Sequence, residues 1–199
     1  MTTLAEVRKT LAYYITQPLV RLLARTPVTP NTITWFGLVI AIGAGVLIGS
    51  GHPFAAGFVM LAGGFLDIID GALARHTGKA SRFGAVLDST LDRLSEAAVL
   101  LGLLVFYAVE QSTAGVVAVG AVWVPSVLVS YIRARAEGMG LDCEVGLFTR
   151  AERVVVLALG LFLSQFGDAL LIALYVIAAL SLVTVVQRLR HVWKQTRAG

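Results

Sequence analysis

One cysteine, Cys143, is the whole thiol content of this 199-residue chain. An intramolecular disulfide is therefore excluded, and so is a structural zinc centre built on several cysteines. Cys143 is expected to be an incidental loop thiol. Charge is equally scarce: 14% of residues are charged and 57% are hydrophobic, with mean hydropathy +0.83. A soluble domain carries about 25% charged residues. The chain instead reads as a polytopic membrane protein, a single domain over residues 1–199. No low-complexity segment and no convincing internal repeat is present. The N-terminal stretch has no small-residue cleavage site behind an apolar core, so it is not expected to be a removable signal peptide.

What is abundant is apolar sequence in long runs. It predicts six spans, at Asn31–Ile48, Phe54–Ala74, Arg82–Tyr107, Ala114–Arg133, Arg150–Gln165 and Asp168–Gln187. Before them, Leu4–Leu23 sets Arg8, Lys9, Arg21 and Arg25 beside Leu11, Tyr14, Ile15, Leu19 and Leu22, a pattern that suits a helix lying in the membrane interface. The expected fold is an all-α integral membrane protein, six transmembrane helices preceded by that interfacial amphipathic helix. The sixteen Lys and Arg fall into four groups of four, around Arg8–Arg25, Arg75–Arg93, Arg133–Arg153 and Arg188–Arg197. With six spans all four groups lie on one side, and the opposite loops carry none. The positive-inside rule then places both termini in the cytoplasm of a plasma-membrane protein. Net charge +4 and pI ≈ 9.6 describe a basic cytoplasmic face rather than a nucleic-acid binder. Such a face attracts lipid headgroups and phosphorylated substrates.

Against this background four aspartates stand out, in the pattern Asp67-x2-Asp70-Gly71-x2-Ala74-Arg75-x8-Gly84-x3-Asp88-x3-Asp92. A carboxylate at the centre of a membrane helix costs about 2.5–3.5 kcal/mol on insertion scales. Asp67 and Asp70 are i,i+3, and Asp88 and Asp92 are i,i+4, so each pair shares one helix face. The short connection between the spans makes them antiparallel neighbours, and the two acidic faces can converge. Four carboxylates suffice for two divalent cations about 3.5–4 Å apart, and all-oxygen ligation favours Mg²⁺ or Mn²⁺ over zinc. Gly71, Ala74 and Gly84 keep the wall low for a ligand. Arg75 can fork onto a phosphate, and Ser81 can cap the third span and offer a hydroxyl.

These residues resemble the complete signature of the CDP-alcohol phosphotransferases (CDP-alcohol phosphatidyltransferases). The resemblance extends over the whole chain. It implies a membrane enzyme, usually a homodimer, that moves a phosphatidyl-type group from a CDP-linked lipid such as CDP-diacylglycerol to an alcohol and releases CMP. By the resemblance Asp67, Asp70, Asp88 and Asp92 hold two Mg²⁺ ions, and Asp92 also accepts the proton of the acceptor hydroxyl. Gly71, Arg75 and Ser81 contact the CDP part, and Asn31, Thr32, Ile33 and Thr34 line the CDP-lipid site. Pro30-Asn31-Thr32 also reads simply as a helix start, and helix N-termini bind phosphate well. His76, alone of the histidines near the motif, is expected to be a loop residue, so a single displacement without a covalent intermediate is expected.

Arginines at span ends bear on the acceptor. Their simplest role is positive-inside anchoring, yet several beside an acidic site would also bind an acceptor carrying its own phosphate. The segments Ser130–Glu137, Arg150–Arg153 and Gln187–Leu189 look like the family branch that makes phosphatidylinositol phosphate. That likeness implies inositol 1-phosphate as acceptor, bound by Arg133, Arg150, Arg153 and Arg188. Arg133 departs from the lysine expected there, which preserves charge but changes geometry. Glycerol 3-phosphate is the alternative acceptor and an ether lipid the alternative donor. A divalent-cation transporter is a remote alternative, since acidic groups are confined near one face. Gly45-x3-Gly49 would serve packing within the chain or dimerisation.

Overall fold

Prolines and hydroxyl side chains set where the helices begin. The structure, a computed structural model, describes residues 17–198, and its regular structure is helical, with no strand among the described residues. Residues 17–23 belong to a first helix, α1. The remainder of the expected interfacial helix, residues 4–16, lies outside the described residues. Thr29 caps α2 (Pro30–Gly49), accepting from the Thr32 amide at 3.3 Å, and Pro30 sits where no amide hydrogen is needed. Pro53 opens α3 (Pro53–His76) in the same way. Ser81 caps α4 (Arg82–Val109), accepting from the Gly84 amide at 2.9 Å, and Ser112 caps α5 (Thr113–Glu137). α6 (Arg150–Phe162) starts where the Thr149 amide donates to Glu152 Oε2 at 2.8 Å, and α7 (Ala169–Ala198) closes the chain.

A helix forms at each of the six apolar segments, and α5 runs on to Glu137, a turn past the expected Arg133. α6 ends at Phe162, because the chain turns there into a bend closed by Gly167 at φ 55°. α7 continues past Gln187 to Ala198, since its extra turns are fastened to a loop described below. His76 is not in the loop but is the last residue of α3. By length and composition α2, α3, α5 and α7 can cross a membrane. α4 is 28 residues long but carries Arg82, Asp88, Asp92, Arg93 and Glu96 toward its N-terminal end. α6 has 13 residues, a rise of about 20 Å against a hydrocarbon core of ~30 Å. Trp35, Phe36, Val39, Ile42 and Val46 of α2 are exposed, as suits a lipid-facing stripe.

α2 and α4 cross with backbone against backbone. A Cβ on Gly45 would stand 2.4 Å from the Ala98 carbonyl oxygen, and one on Gly102 only 2.2 Å from that of Gly45. Gly45 thus serves packing within the chain. Gly102→Ala is expected to destabilise the protein by about 1–3 kcal/mol through overpacking. Gly120→Ala, where an added Cβ meets nothing within 4 Å, is expected to be neutral or mildly stabilising. Thermal unfolding in detergent checks both, and equal midpoints for the two variants would contradict the close crossing.

The main apolar core gathers Ala44 and Ile48 with Val99, Leu103, Leu161 and Leu174, and a second cluster joins Val20, Ile33, Ile69 and Leu73. Between α5 and α6 the chain runs without helix, and α7 side chains hold it. Thr184 Oγ1 accepts from the Phe148 amide at 3.1 Å, Gln187 Oε1 from the Leu147 amide at 3.0 Å, and Gln195 Oε1 from the Asp142 amide at 3.2 Å. Arg188 Nε donates to the Val145 carbonyl at 2.9 Å. Cys143 is a loop thiol, as expected, but a fully buried one, and burial pushes its pKa up from the ordinary value.

Candidate active site

Gly78, at φ 64°, closes the tight turn that sets the last turns of α3 against the first turns of α4. Asp67 and Asp70 project from α3, Asp88 and Asp92 from α4. Arg150, the first residue of α6, reaches between them: its Nη1 stands 2.8 Å from Asp67 Oδ2 and 2.7 Å from Asp92 Oδ1. Asp70 is 4% exposed and accepts from Thr34 Oγ1 of α2 at 2.7 Å. Gly37 of α2 makes room for this group, since a Cβ there would lie 3.2 Å from Asp67 Oδ1.

Among the described residues no three Asp, Glu, His or Cys side chains are grouped tightly enough to hold a metal ion as they stand. The gap between Asp67 and Asp92 is spanned by a guanidinium. That arrangement is itself a test of fit: two carboxylates from different helices already share one cation. The oxygen-only donor set that α3 and α4 contribute suits a hard divalent ion.

The carboxylates lie between two cavities of different chemistry. The first is a groove of ≈ 180 Å³ lined by Asn31, Thr34, Asp70, Arg75, Lys79 and Asp88. Gly71, Ala74, Ser81 and Gly84 complete its wall. A Cβ on Gly84 would lie 3.0 Å from Ser81 Oγ and 3.4 Å from Asn31 Oδ1, so the bare backbone keeps the groove open. Of the segment Asn31–Thr34, only Asn31 and Thr34 line it. Thr32 is turned onto the Thr29 cap, with the two hydroxyls 2.8 Å apart, and Ile33 packs with Ile69 and Leu73 in the apolar cluster. A helix start presents every third or fourth side chain to one side, and these two point elsewhere.

The second cavity, ≈ 60 Å³, is apolar along Val99, Leu100, Val122 and Leu157 and charged at one end, where Asp67, Ser95, Glu96, Arg150 and Arg153 meet. Arg153 is 3% exposed and donates from Nε and Nη2 to the two Glu96 oxygens, at 2.8 and 3.1 Å. The other two arginines of the expected acceptor set do not line this cavity. Arg133 is exposed and paired with Glu137 at 2.7 Å, with Glu144 at 3.8 Å. Arg188 is buried and spent on the carbonyls of Val145 and Val129, where it ties the loop to α5. Loop carbonyls that need a donor leave no trace in a sequence pattern, so this role of Arg188 is not legible from the sequence.

Three contributors were not singled out from the sequence. Glu96 continues the Asp88, Asp92 face at i+4, a spacing that was visible. Ser95 and Gly37 carry no such signal, since their roles depend on which helix packs opposite.

Residues 27–187 match the family described as CDP-alcohol phosphatidyltransferase. The phosphatidylinositol phosphate synthase of Mycobacteroides abscessus is 42% identical over 183 residues, covering 89% of this chain and 83% of that protein. The archaetidylinositol phosphate synthase of Pyrococcus horikoshii is 36% identical over 189 residues, covering 93% and 96%. The crystal structure of the phosphatidylinositol phosphate synthase of Mycobacterium tuberculosis with CDP-DAG bound superposes with a TM-score of 0.83 at 37% identity, over 90% of this chain and 94% of that one. The same protein in complex with manganese and citrate gives 0.82 at 37% identity, over 89% and 88%.

Proposed function

This chain belongs to the CDP-alcohol phosphatidyltransferase family, and from that premise we propose that it transfers the phosphatidyl group of CDP-diacylglycerol to the hydroxyl of inositol 1-phosphate, releasing CMP and giving phosphatidylinositol phosphate. One observation carries this reading. The carboxylates of α3 and α4 stand between an open polar groove and a cavity ended by Arg150 and Arg153. Asp70 and Asp88 line the groove and Asp67 the cavity, so two substrates can approach the one aspartate cluster from different sides.

The groove takes the CDP part. Arg75 and Lys79 at its rim answer the pyrophosphate charge, and Gly71, Ala74 and Gly84 let the nucleotide lie against the helices. Asn31, Thr34 and Ser81 offer polar side chains on the same wall. Asp67, Asp70, Asp88 and Asp92 would hold two Mg²⁺ ions, with Mn²⁺ as a substitute, which when bound would offset the charge of the pyrophosphate and of the departing CMP. The manganese complex of the mycobacterial relative supports that assignment. Arg150 and Arg153 receive the acceptor phosphate, with Arg133 and Arg188 ordering the loop that leads into α6. Asp92 accepts the acceptor hydroxyl proton as the oxygen attacks the β-phosphorus and the bond to the CMP oxygen breaks. Retention of configuration at phosphorus would overturn this single displacement.

The chain is a multi-pass membrane protein. We place all six segments from α2 to α7 across or into the plasma membrane, with both termini and the site on the cytoplasmic side, in a homodimer. The relative from Pyrococcus horikoshii favours one second reading, in which the inositol phosphate acceptor stays and the donor lipid differs.

The test is CMP release by the purified protein with Mg²⁺, CDP-diacylglycerol and one acceptor at a time. CMP is expected with inositol 1-phosphate and not with glycerol 3-phosphate. Turnover with glycerol 3-phosphate alone would reassign the acceptor, and divalent-cation flux in vesicles without CDP-lipid would point to transport instead.

A further inference from the structure

Arg153 has three kinds of nitrogen, and the structure uses two. Nε and Nη2 form a two-point contact with Glu96, which fixes the plane of the guanidinium. Nη1 is buried and has no hydrogen-bond partner. A buried donor on a charged group is costly to leave unsatisfied. Arg153 is 97% withdrawn from solvent by its 3% exposure, and it lines the charged end of the second cavity with Glu96, Ser95, Arg150 and Asp67. Glu96 is itself one turn beyond Asp92 on the same face of α4.

We propose that Glu96 is a positioning residue for the acceptor: by holding Nε and Nη2 of Arg153 it presents Nη1 to the acceptor's phosphate. The inference rests on the reading of Arg153 as an acceptor-phosphate ligand. Its logic is electrostatic as well as geometric. Glu96 cancels the charge of an arginine that would otherwise be bare, while leaving one donor free. An anionic acceptor then enters without displacing Glu96, and a neutral polyol finds a buried donor with nothing to accept.

The experiment compares Glu96→Gln, Arg153→Gln and the double variant, measuring KM for each substrate and kcat by CMP release. Glutamine keeps the size of Glu96 but can accept from one arginine nitrogen while opposing the other with its own amide. Glu96→Gln is expected to raise KM for inositol 1-phosphate at least tenfold and to leave KM for CDP-diacylglycerol within about twofold. If Glu96 acts through Arg153, the double variant is no worse than Arg153→Gln alone. Glu96→Asp, which keeps the charge, is expected to recover part of the loss. It carries the same substrate comparison should the glutamine variant not fold.

The outcomes separate two failures. An unchanged acceptor KM in Arg153→Gln overturns the acceptor reading of Arg153 and the inference with it. A raised KM in Arg153→Gln with an unchanged one in Glu96→Gln overturns the positioning role alone. So does an equal rise for both substrates, which would mark Glu96 as merely structural.

Discussion

Asp92→Asn is expected to lower CMP release by about 10²–10⁴-fold, the range that a positioned general base contributes. Asparagine keeps the size of the side chain and an oxygen where Oδ1 meets Arg150 at 2.7 Å. It loses the charge and the capacity to take a proton. Asp92 sits on the α4 face between the two cavities, so no other carboxylate of that helix can replace it without a shift of a turn. The loss should appear in kcat, with CDP-lipid binding changed less than tenfold, because the groove is lined by Asp70 and Asp88 and not by Asp92. Stopped-time CMP assays at saturating acceptor, with lipid-nucleotide binding measured separately, distinguish these. A variant that keeps a tenth of the activity would end the assignment of Asp92 as proton acceptor.

The second large effect concerns stability without metal. Arg150 Nη1 is shared by Asp67 and Asp92, at 2.8 and 2.7 Å, so their facing oxygens are at most about 5.5 Å apart. Two bare carboxylates at that separation repel by about 3 kcal/mol at an effective dielectric of 20. Arg150→Gln removes the guanidinium that bridges this pair and should lower the unfolding midpoint in EDTA by ~6–12 °C. Adding Mn²⁺ or Mg²⁺ supplies another cation to the same oxygens and should close most of that gap. It should do so at lower metal concentration than wild type needs, because no arginine competes. Thermal unfolding across a metal titration checks both. Equal destabilisation with and without metal would show that Arg150 supports the fold by packing and not by charge.

Asp92 and Arg150 mark the two sides of what the sequence makes legible. The spacing of Asp67, Asp70, Asp88 and Asp92 is local, and helix periodicity alone puts each pair on a face. The helix starts at Pro30 and Arg82 are equally legible, because Thr29 and Ser81 satisfy amides within a few residues of themselves. What escaped is whatever depends on chains meeting from afar. Arg150 was read as an acceptor ligand, and nothing in its neighbours said that it bridges two aspartates more than fifty residues away. Thr34 was placed in the lipid-nucleotide site, where its donation to Asp70 could not be foreseen. Glu96 was within reach of the i,i+4 rule, but its partner Arg153 is on another helix. Arg188 shows the same limit: its bonds to the carbonyls of Val145 and Val129 depend on a loop and a helix that its own neighbours in sequence do not reveal.

The strap between α7 and the stretch ahead of α6 fixes an order of assembly. Ribosomal synthesis delivers the four aspartates on α3 and α4 well before Arg150, and Arg150 before Thr184, Gln187, Arg188 and Gln195. During that interval a nascent chain carries its acidic helices with no guanidinium between them. When α6 does emerge, the loop leading into it still lacks the bonds that Thr184, Gln187, Arg188 and Gln195 of α7 make to it. Competence therefore comes last and all at once. A chain stalled before α7 would carry all four aspartates and Arg150 while the loop ahead of α6 still wanted its α7 fastenings.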